Sequence, residues 1–269
     1  MNELLVLGHK GMLGQMVMKY FGGKGYKLHT NKYRFNESER EDFIAECRKY
    51  PQAIVVNCIG KIKQKTDDAN DLLWANALLP LALNNHLLPE QTLVHPSTDC
   101  VFDGKKGSPY GINDTPDAAD AYGWSKRLGE VAVKDRSNTM IMRVSIIGPD
   151  ENPQGKGLLA WFLSNPSGSE LKGFTNHLWN GITTLEWCKQ LENFIEKMEP
   201  DKSYFYQLGT EEYYSKHQML KFFQHYLQTD YQIEAFEASE SIDRRLQPTV
   251  LAKSLENQLE ELSRFSLSK

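Results

Sequence analysis

The sequence predicts an α/β fold, a Rossmann-type doubly wound parallel sheet with a smaller C-terminal lobe. Short apolar runs alternate with helical patterns through the first half of the chain, which is typical of βαβ units. A glycine-rich turn directly follows the first apolar run, and the second half has longer connections that contain Gly and Pro. We therefore expect the sheet to come mainly from residues 1–148. The lobe should come mainly from 149–269, with some elements returning to the core.

The first half supplies strands and helices in alternation. Apolar, β-branched segments predict strands at 3–7, 26–30, 53–58, 92–95 and 139–147. Amphipathic segments between them predict helices at 12–21, 38–50, 67–86 and 118–134. Pro80 falls inside the third helix, which we expect to be bent or broken there.

The second half contains fewer strands and longer helical patterns. Helices are predicted at 155–163, 184–198, 216–227 and 251–265, and strands at 204–208 and 231–236. Leucines recur on one side of the last helix, at positions 251, 255, 259 and 262. That side is expected to pack on the domain or on a partner subunit, which leaves a homodimer open.

Composition excludes several classes of protein. The chain of 269 residues has 40% hydrophobic and 25% charged residues and a net charge of −4, typical of a globular enzyme. This charge gives no reason to expect nucleic acid or a membrane as partner. No apolar stretch reaches about 18 residues and no basic leader precedes one, so we expect a cytoplasmic protein. The four cysteines form no C-x-x-C pair, which indicates reduced thiols and no metal site.

A glycine-rich turn, Gly8-His-Lys-Gly11-Met-Leu-Gly14, connects the first strand to the first helix. Glycines at this spacing allow a tight turn, close approach of the backbone to a pyrophosphate, and close packing of helix on strand. The N–H groups at the start of the helix favour phosphates. We therefore expect 1–148 to be an NAD(P)-binding region, with cofactor contacts from this turn, including Lys10. Plain turn glycines are the alternative, which the position at the first βα junction disfavours.

The end of the second strand bears on the choice of cofactor. NAD sites usually have an acidic residue about 20 residues after the glycine turn, which binds the ribose hydroxyls. Residues 28–34 contain no Asp or Glu but include Asn31, Lys32 and Arg34. These side chains are expected to accept a 2′-phosphate, so NADP(H) is favoured. NAD(H), and a simple solvated loop, stay open.

Tyr122 and Lys126 are four residues apart near the start of a helix, so both lie on one face. A phenol has a pKa of about 10 and is a poor acid–base catalyst at neutral pH. A nearby ammonium is expected to lower the pKa of the phenol towards the working range. The pair predicts a tyrosine that protonates a carbonyl oxygen while hydride reaches the carbon. An unrelated surface pair is the alternative.

Small hydroxyl side chains and an Asp follow the fourth strand, in the segment Ser97-Thr98-Asp99. Ligands of open α/β sheets bind at the carboxyl ends of the strands. The Thr98 hydroxyl is therefore expected to bind the same carbonyl as Tyr122. A Ser/Thr turn with a helix-capping Asp is the structural alternative.

Two further segments are candidates for binding a substrate. Lys61, Lys63 and Lys65 follow the third strand and face either a pyrophosphate or, more simply, solvent. The run 174–181 is rich in aromatic and amide side chains, and Asn176 in it is a candidate for binding hydroxyl groups. Packing beneath a loop is the alternative for this run.

Taken in order, these motifs resemble the dTDP-4-dehydrorhamnose reductase family of extended short-chain dehydrogenases. The resemblance is specific over 1–148 and rests on residues 8–14, Asn57, 97–104, 122–126 and 143–145. It is thinner afterwards, although 245–251 is similar to a closing segment of that family.

The resemblance implies a catalytic triad of Thr98, Tyr122 and Lys126. Lys126 would also hold the nicotinamide ribose, and Thr98 and Asp99 would face the sugar. It implies cofactor contacts from Gly11, Met12, Leu13, Ile59 and Gly60.

Two departures from the family concern the sugar. Cys100 stands where the family often has an aromatic residue, and Ile146 stands where it often has Trp. Both positions contact the sugar in the family. The cofactor site and the triad therefore carry over, whereas another nucleotide-linked deoxysugar ketone is at least as strongly expected as the rhamnose precursor.

The sequence thus predicts an NAD(P)H-dependent oxidoreductase that reduces a nucleotide-linked 4-keto-6-deoxysugar for polysaccharide synthesis. A 4,6-dehydratase of this fold would have Asp-Glu after Thr98, whereas Asp99 is followed here by Cys100. A 4-epimerase shares the Tyr and Lys and stays open. So does a regulatory subunit of methionine adenosyltransferase, which is similar to the same reductases and binds NADP.

Overall fold

The computed structural model describes residues 2–66, 68–152 and 155–267. In chain order the strands are β1 (Glu3–Leu7), β2 (Lys27–Thr30), β3 (Ile54–Asn57), β4 (Leu93–Ser97), β5 (Thr139–Arg143), β6 (Ile146–Ile147), β7 (Glu170–Phe174), β8 (His177–Trp179), β9 (Ile182–Thr183), β10 (Ser203–Gly209), β11 (Tyr214–Ser215), β12 (Gln232–Phe236), β13 (Ile242–Asp243) and β14 (Val250–Leu251). Seven of them form one parallel sheet in the order β14-β10-β5-β4-β3-β1-β2.

Helices cover both faces of this sheet. They are α1 (Met12–Gly23), α2 (Arg40–Arg48), α3 (Ala69–Leu73), α4 (Leu79–His86), α5 (Ala121–Val133), α6 (Leu158–Leu163), α7 (Thr184–Ile195), α8 (Lys216–Leu227) and α9 (Leu255–Leu267). Helices α1 and α7 pack on one face, and α2, α4 and α5 pack on the other. This arrangement confirms the predicted doubly wound α/β fold.

The first strand shows why the sheet is buried on both sides. Leu4 and Val6 point into one hydrophobic layer, and Leu5 and Leu7 point into the other. A continuous apolar run is what a central parallel strand requires, since alternate side chains face opposite layers of helices. The run therefore fixes β1 at the bounds expected from sequence.

The regular α-helical pattern of the third helical segment is broken near Pro80, as predicted, and the break is a π-helical turn that was not predicted. This turn, Trp74–Leu78, lies between α3 and α4. Pro80 has no N–H to donate to the Asn76 carbonyl, which frees that oxygen from the regular helical pattern. The carbonyl faces Gly129 of α5, where an added Cβ would lie 2.2 Å from it. Asp67, the predicted first residue of this helix, lies outside the described residues.

The second half both extends the sheet and builds beyond it. Strands β10 and β14 lie in the central sheet although they come after residue 148. The others form small sheets, β11-β8-β13, β12-β7 and β6-β9. The single strand predicted at 139–147 is wrong in its second part. The chain leaves the central sheet after Arg143, and β6 pairs with β9 instead.

The leucine-rich side of α9 packs on its own chain. Leu255, Leu259 and Leu262 are buried, and α9 contacts α7, α8 and β9. Leu251, which belongs to β14, is 59% exposed. The first of the two predicted alternatives, packing on the domain, is therefore confirmed for the three helical leucines.

The described part of the chain has neither a membrane-spanning helix nor a metal-binding group of side chains. None of its helices has the length and hydrophobicity needed to span a lipid bilayer. None of its His, Cys, Asp and Glu side chains form a group of three or more placed to bind a metal ion.

Candidate active site

The turn between β1 and α1 needs glycine at two positions because of the protein's own packing. Gly8 has a φ of +76°, and a Cβ there would lie 2.9 Å from the backbone nitrogen of Ile59. A Cβ on Gly14 would lie 2.2 Å from the Gly8 carbonyl oxygen. These glycines allow β1, α1 and the segment after β3 to pack closely.

Gly11 differs because it has room for a side chain. A Cβ there would make only an ordinary contact, 3.5 Å from the Gly8 carbonyl oxygen. Gly11 is also the N-cap of α1, where no side chain caps the helix and no acidic residue lies in the first turn. The N–H groups of that turn, which begins with Met12 and Leu13, are therefore available to an anion. The pyrophosphate of a dinucleotide fits this position.

Gly11→Ala is expected to weaken NADPH binding by about tenfold or more, because its methyl group would occupy the approach of the pyrophosphate. Its melting temperature should stay within about 2 °C of wild type, since the space is open in the protein itself. Gly8→Ala is the matched control, and we expect it to unfold at a lower temperature because both its φ and its Cβ contact are unfavourable. Fluorescence titration and thermal melts measure both effects. Wild-type NADPH affinity in Gly11→Ala would contradict this placement of the pyrophosphate.

A cavity of about 730 Å³ continues from the glycine turn towards the ends of β2 and β3. Its lining includes Gly8, Lys10, Asn31, Lys32, Arg34, Ile59, Gly60 and Trp74. The volume lies within the usual range of small-molecule sites, about 300–1,000 Å³. The structure thus brings together residues that the sequence proposed for the cofactor from three separate segments.

The predicted role of Asn31 as a phosphate ligand is wrong for its side chain. Its amide nitrogen donates to the Phe43 carbonyl oxygen (2.8 Å) and to Cys47 Sγ (3.3 Å). Its amide oxygen accepts from the backbone nitrogen of Tyr33 (3.0 Å). The buried amide therefore ties the loop after β2 to α2 and has no capacity left for a phosphate.

Lys32 and Arg34 remain suitable for binding a phosphate. Both side chains are exposed at the rim of the cavity. Neither forms a salt bridge with a carboxylate of the residues described here. Lys10 is also exposed, and its carbonyl oxygen accepts from Gln15 Nε2 (3.0 Å).

The end of β4 places Thr98 and Asp99 at the carboxyl edge of the sheet. The Thr98 hydroxyl accepts from the backbone nitrogen of Cys100 (3.2 Å) and donates to the Asp99 carboxylate (3.0 Å). The capping turn that the sequence offered as an alternative is therefore present. The Thr98 hydroxyl nevertheless also lies close enough to the Tyr122 phenol to lower its pKa, so both interpretations apply to one residue.

Helix α5 carries Tyr122 and Lys126. Asp120 caps the helix by accepting from the backbone nitrogen of Gly123 (2.9 Å). Burial of the Tyr122 phenol raises its pKa above the ordinary value. The phenol therefore keeps its proton at neutral pH.

The expectation that the pKa of Tyr122 lies towards the working range is wrong for this structure, because burial raises it above the ordinary value. The Lys126 ammonium donates to the Pro96 carbonyl oxygen (2.6 Å), and burial lowers its own pKa to about 8. It still carries a positive charge at neutral pH, and its hydrogen bond fixes α5 to the end of β4. A phenol that keeps its proton can act as a proton donor.

Sequence reasoning missed Asn76, which connects three elements of the site. Its amide nitrogen donates to the Lys61 carbonyl oxygen (2.8 Å) and to Ser125 Oγ (3.0 Å), and its oxygen accepts from the Lys61 backbone nitrogen (3.0 Å). Ser125 in turn donates to the Tyr122 carbonyl oxygen (2.7 Å). The break expected at Pro80 was the only local signal that this helix had a special role.

A buried ion pair beneath the site was also missed. Arg143 Nε and Nη2 donate to the two oxygens of Glu130, both at 2.8 Å. Ser97 Oγ donates to Glu130 (2.6 Å), and Arg143 Nη1 donates to Gln207 Oε1 (2.8 Å). This network joins β4, α5, β5 and β10 at the edge of the sheet that carries Thr98.

The residues Asn176 and Ile146, which were predicted to contact the substrate, lie in different parts of the structure. Asn176 pairs through its amide with the backbone of Ala238, donating at 2.7 Å and accepting at 3.0 Å. It lines a separate cavity of about 710 Å³ with Gly104 and Arg245. Its amide is thus used for packing, and its predicted role as a sugar ligand is wrong. Ile146 is half-buried in β6, just beyond the carboxyl end of β5.

The three lysines after β3 are each paired with a carboxylate. The pairs are Lys61–Asp71 (2.5 Å), Lys63–Asp120 (3.0 Å) and Lys65–Asp150 (4.0 Å). These ion pairs support the simpler of the two predictions, in which the lysines belong to a surface loop and not to a pyrophosphate site.

A family model described as the RmlD substrate binding domain matches residues 1–241 of the chain. The chain belongs to the RmlD substrate binding domain family. The matched region includes both the glycine turn and the Thr98–Tyr122 pair.

Individual relatives are consistent with membership of the RmlD family. The chain is 30% identical over 152 residues to the spore coat polysaccharide biosynthesis protein SpsK of Bacillus subtilis, covering 54% of this chain and 53% of SpsK. The chain spans about half the length of SpsK and of two further curated relatives. It is 26% identical over 249 residues to methionine adenosyltransferase 2 subunit beta of Danio rerio, covering 82% of this chain and 71% of that protein.

Solved structures show the same fold. The crystal structure of dTDP-4-dehydrorhamnose reductase from Bacillus anthracis, in complex with NADP, superposes with a TM-score of 0.82 at 16% identity. The superposition covers 97% of this RmlD-family chain and 98% of the other.

Proposed function

We propose that this protein is an NADPH-dependent reductase of a nucleotide-linked 4-keto-6-deoxysugar. The observation that carries the proposal is the closeness of the Thr98 hydroxyl and the Tyr122 phenol at the carboxyl end of β4, on the same sheet edge as a glycine turn that fits a dinucleotide. The names of relatives, among them a polysaccharide biosynthesis protein and a dTDP-4-dehydrorhamnose reductase, support this class of substrate.

The glycine turn and the adjoining cavity are the proposed cofactor site. Gly11, Met12 and Leu13 would hold the pyrophosphate through backbone N–H groups, and Ile59 and Gly60 would flank it. When bound, the reduced nicotinamide supplies a hydride to the keto carbon.

The choice of NADPH over NADH rests on the rim of the cavity. Lys32 and Arg34 are exposed cations there, and neither forms a salt bridge within the described part of the chain. A 2′-phosphate on the adenosine ribose would pair with them.

Tyr122 holds the proton that reduction requires. Because burial raises the pKa of its phenol, Tyr122 stays protonated and donates to the carbonyl oxygen as negative charge develops there. The Thr98 hydroxyl is placed to polarise the same carbonyl. Lys126 carries a positive charge below its pKa of about 8 and would stabilise the phenolate that remains.

The sugar is proposed to lie between this edge of the sheet and the C-terminal lobe. Asp99, which is buried beside Thr98, would accept hydrogen bonds from the hydroxyl groups of the sugar. Ile146 offers apolar surface beyond the end of β5. Cys100 and Ile146 are smaller than the aromatic residues that the family often has there, which leaves room for a differently substituted deoxysugar.

The similarity to methionine adenosyltransferase 2 subunit beta over 82% of the chain favours a second candidate. In that case the protein would be a regulatory subunit that binds the dinucleotide without turnover. The set of Thr98, Tyr122 and Lys126 favours the reductase, because a purely binding protein has no use for a buried proton donor at the sheet edge.

Steady-state oxidation of NADPH in the presence of dTDP-4-keto-6-deoxyglucose and related 4-keto-6-deoxysugar nucleotides tests the proposal. We expect turnover with at least one of these sugars, and a kcat/KM for NADPH at least about tenfold above that for NADH. Tight NADPH binding with no turnover of any such sugar would favour the regulatory candidate.

A further inference from the structure

The C-terminal lobe brings three basic side chains close to the proposed catalytic residues. Lys216 begins α8, His177 begins β8, and Arg244 follows β13. Ser215 and Asp243, which precede Lys216 and Arg244, both pair with Leu178 of β8, one from each side. The charges of Asp99 and Arg244 act on the pKa of Lys216, and those of Lys216 and Arg244 act on the pKa of His177. Since Asp99 also acts on Tyr122, this basic cluster adjoins the site of proton transfer.

The position of Arg244 is fixed by the fold. Its Nε donates to the Phe102 carbonyl oxygen (2.9 Å), which attaches it to the segment after Thr98. Gly104 leaves space for its stem, since a Cβ there would lie 2.9 Å from Arg244 Cγ and the φ of Gly104 is +86°. The terminal guanidinium nitrogens donate to no acceptor among residues 2–66, 68–152 and 155–267. They are therefore available to a ligand.

The charges of this cluster are not neutralised by the described residues. Neither Lys216 nor Arg244 forms a salt bridge with any of their carboxylates, and the Lys216 ammonium has no hydrogen-bond partner among them. Two carboxylates face the cluster, but Asp120 is paired with Lys63 (3.0 Å) and Asp99 accepts from the Thr98 hydroxyl. Like charges held together in this way are typical of a site for an anion.

Burial lowers the pKa of Lys216, Asp99 and Cys100 act against this, and the charge of Arg244 lowers the pKa further. A bound anion would oppose both effects. The protein thus bears an electrostatic cost at this place that a negatively charged ligand would relieve.

We propose that Lys216 and Arg244 bind the diphosphate of the nucleotide-linked sugar. The inference rests on the proposed function and specifies which part of the substrate the C-terminal lobe recognises. In such a substrate the diphosphate is attached to C1, across the pyranose ring from the C4 carbonyl that Tyr122 and Thr98 would address. A guanidinium matches phosphate oxygens in bidentate fashion, and an ammonium adds a second charge. The site therefore selects nucleoside diphosphate sugars over free sugars.

Calorimetric titration with thymidine 5′-diphosphate tests this assignment. Lys216→Met and Arg244→Met should each weaken the affinity at least about tenfold, because each removes a charge-assisted contact to phosphate. Lys221→Met is the matched control, since Lys221 is an exposed lysine on the same helix. Its affinity should equal that of wild type. Circular dichroism of each variant checks that α8 is intact.

Steady-state kinetics provide the second readout. Lys216→Met should raise the KM for the keto-sugar nucleotide about tenfold while kcat changes less than about threefold, because Lys216 would hold the substrate and not the reacting atoms. Thymidine diphosphate affinity within twofold of wild type in both Lys216→Met and Arg244→Met would overturn the inference. So would a wild-type protein that does not bind thymidine diphosphate. The proposed reductase function is judged separately, by turnover in the wild type.

Discussion

Replacing Tyr122 with Phe is expected to lower kcat about a thousandfold, within the range that a general acid contributes. The change removes the hydroxyl group that donates the proton and keeps the aromatic ring. Thr98 retains its bonds to Asp99 and to the Cys100 backbone nitrogen, so the end of β4 keeps its geometry. The affinity for NADPH should change less than about twofold, because the glycine turn is separate from α5.

Tyr204→Phe is the matched control for this experiment. Tyr204 lies near the start of β10, at the end of the sheet opposite the site, where its hydroxyl accepts from the Glu199 backbone nitrogen (3.0 Å). Losing that hydroxyl should affect stability slightly and kcat hardly at all. Wild-type turnover in Tyr122→Phe would show that the proton comes from another group.

Replacing Arg143 with Met is expected to lower the free energy of unfolding by about 3–5 kcal/mol, because it leaves a buried carboxylate without its main partner. Arg143 is 1% exposed and Glu130 is fully buried. Phe102 and Phe205 also lie against the guanidinium, with ring centroids at 5.1 and 4.6 Å. Methionine keeps part of this packing, so the loss is mainly electrostatic. Chemical denaturation measures it.

Two further variants distinguish the loss of the buried ion pair from the loss of a partly exposed positive charge. Arg127 reaches the same Glu130 from the rim at 3.0 Å and is partly exposed. Arg127→Met should therefore cost less than about 1 kcal/mol. The double variant Glu130→Leu with Arg143→Met should recover part of the stability, because neither charge then remains buried alone. A loss for Arg143→Met as small as that for Arg127→Met would contradict this account of the network.

The fold was predictable wherever local patterns decide structure. β1 matches its expected bounds because its apolar run is buried on both faces. α8 also begins and ends as expected. The Ser215 side chain and the Gln218 side chain cap each other's backbone at its start, and this capping box is visible in sequence. The π-helical turn was not predicted, and the contacts of Asn76 within it, to Lys61 and Ser125, join residues far apart in sequence.

The site was predictable in its local motifs and not in its long-range contacts. The glycine spacing and the four-residue separation of Tyr122 and Lys126 are properties of one segment each. The amides of Asn31 and Asn176 had the right chemistry for ligands, but backbone groups close in space already satisfy them. Arg244 carried no signal as a ligand, because only the folded lobe brings it to Lys216.

The most direct test of the central claim follows a labelled hydride into the product. The protein is incubated with NADPH deuterated at the transferable position and with a keto-sugar nucleotide that it turns over, and the product is examined by NMR spectroscopy. The account predicts one deuterium at C4, one equivalent of NADP⁺ per product, and loss of both in Tyr122→Phe. Conversion of the sugar without deuterium at C4 or net consumption of NADPH would contradict the reductase and favour an epimerase.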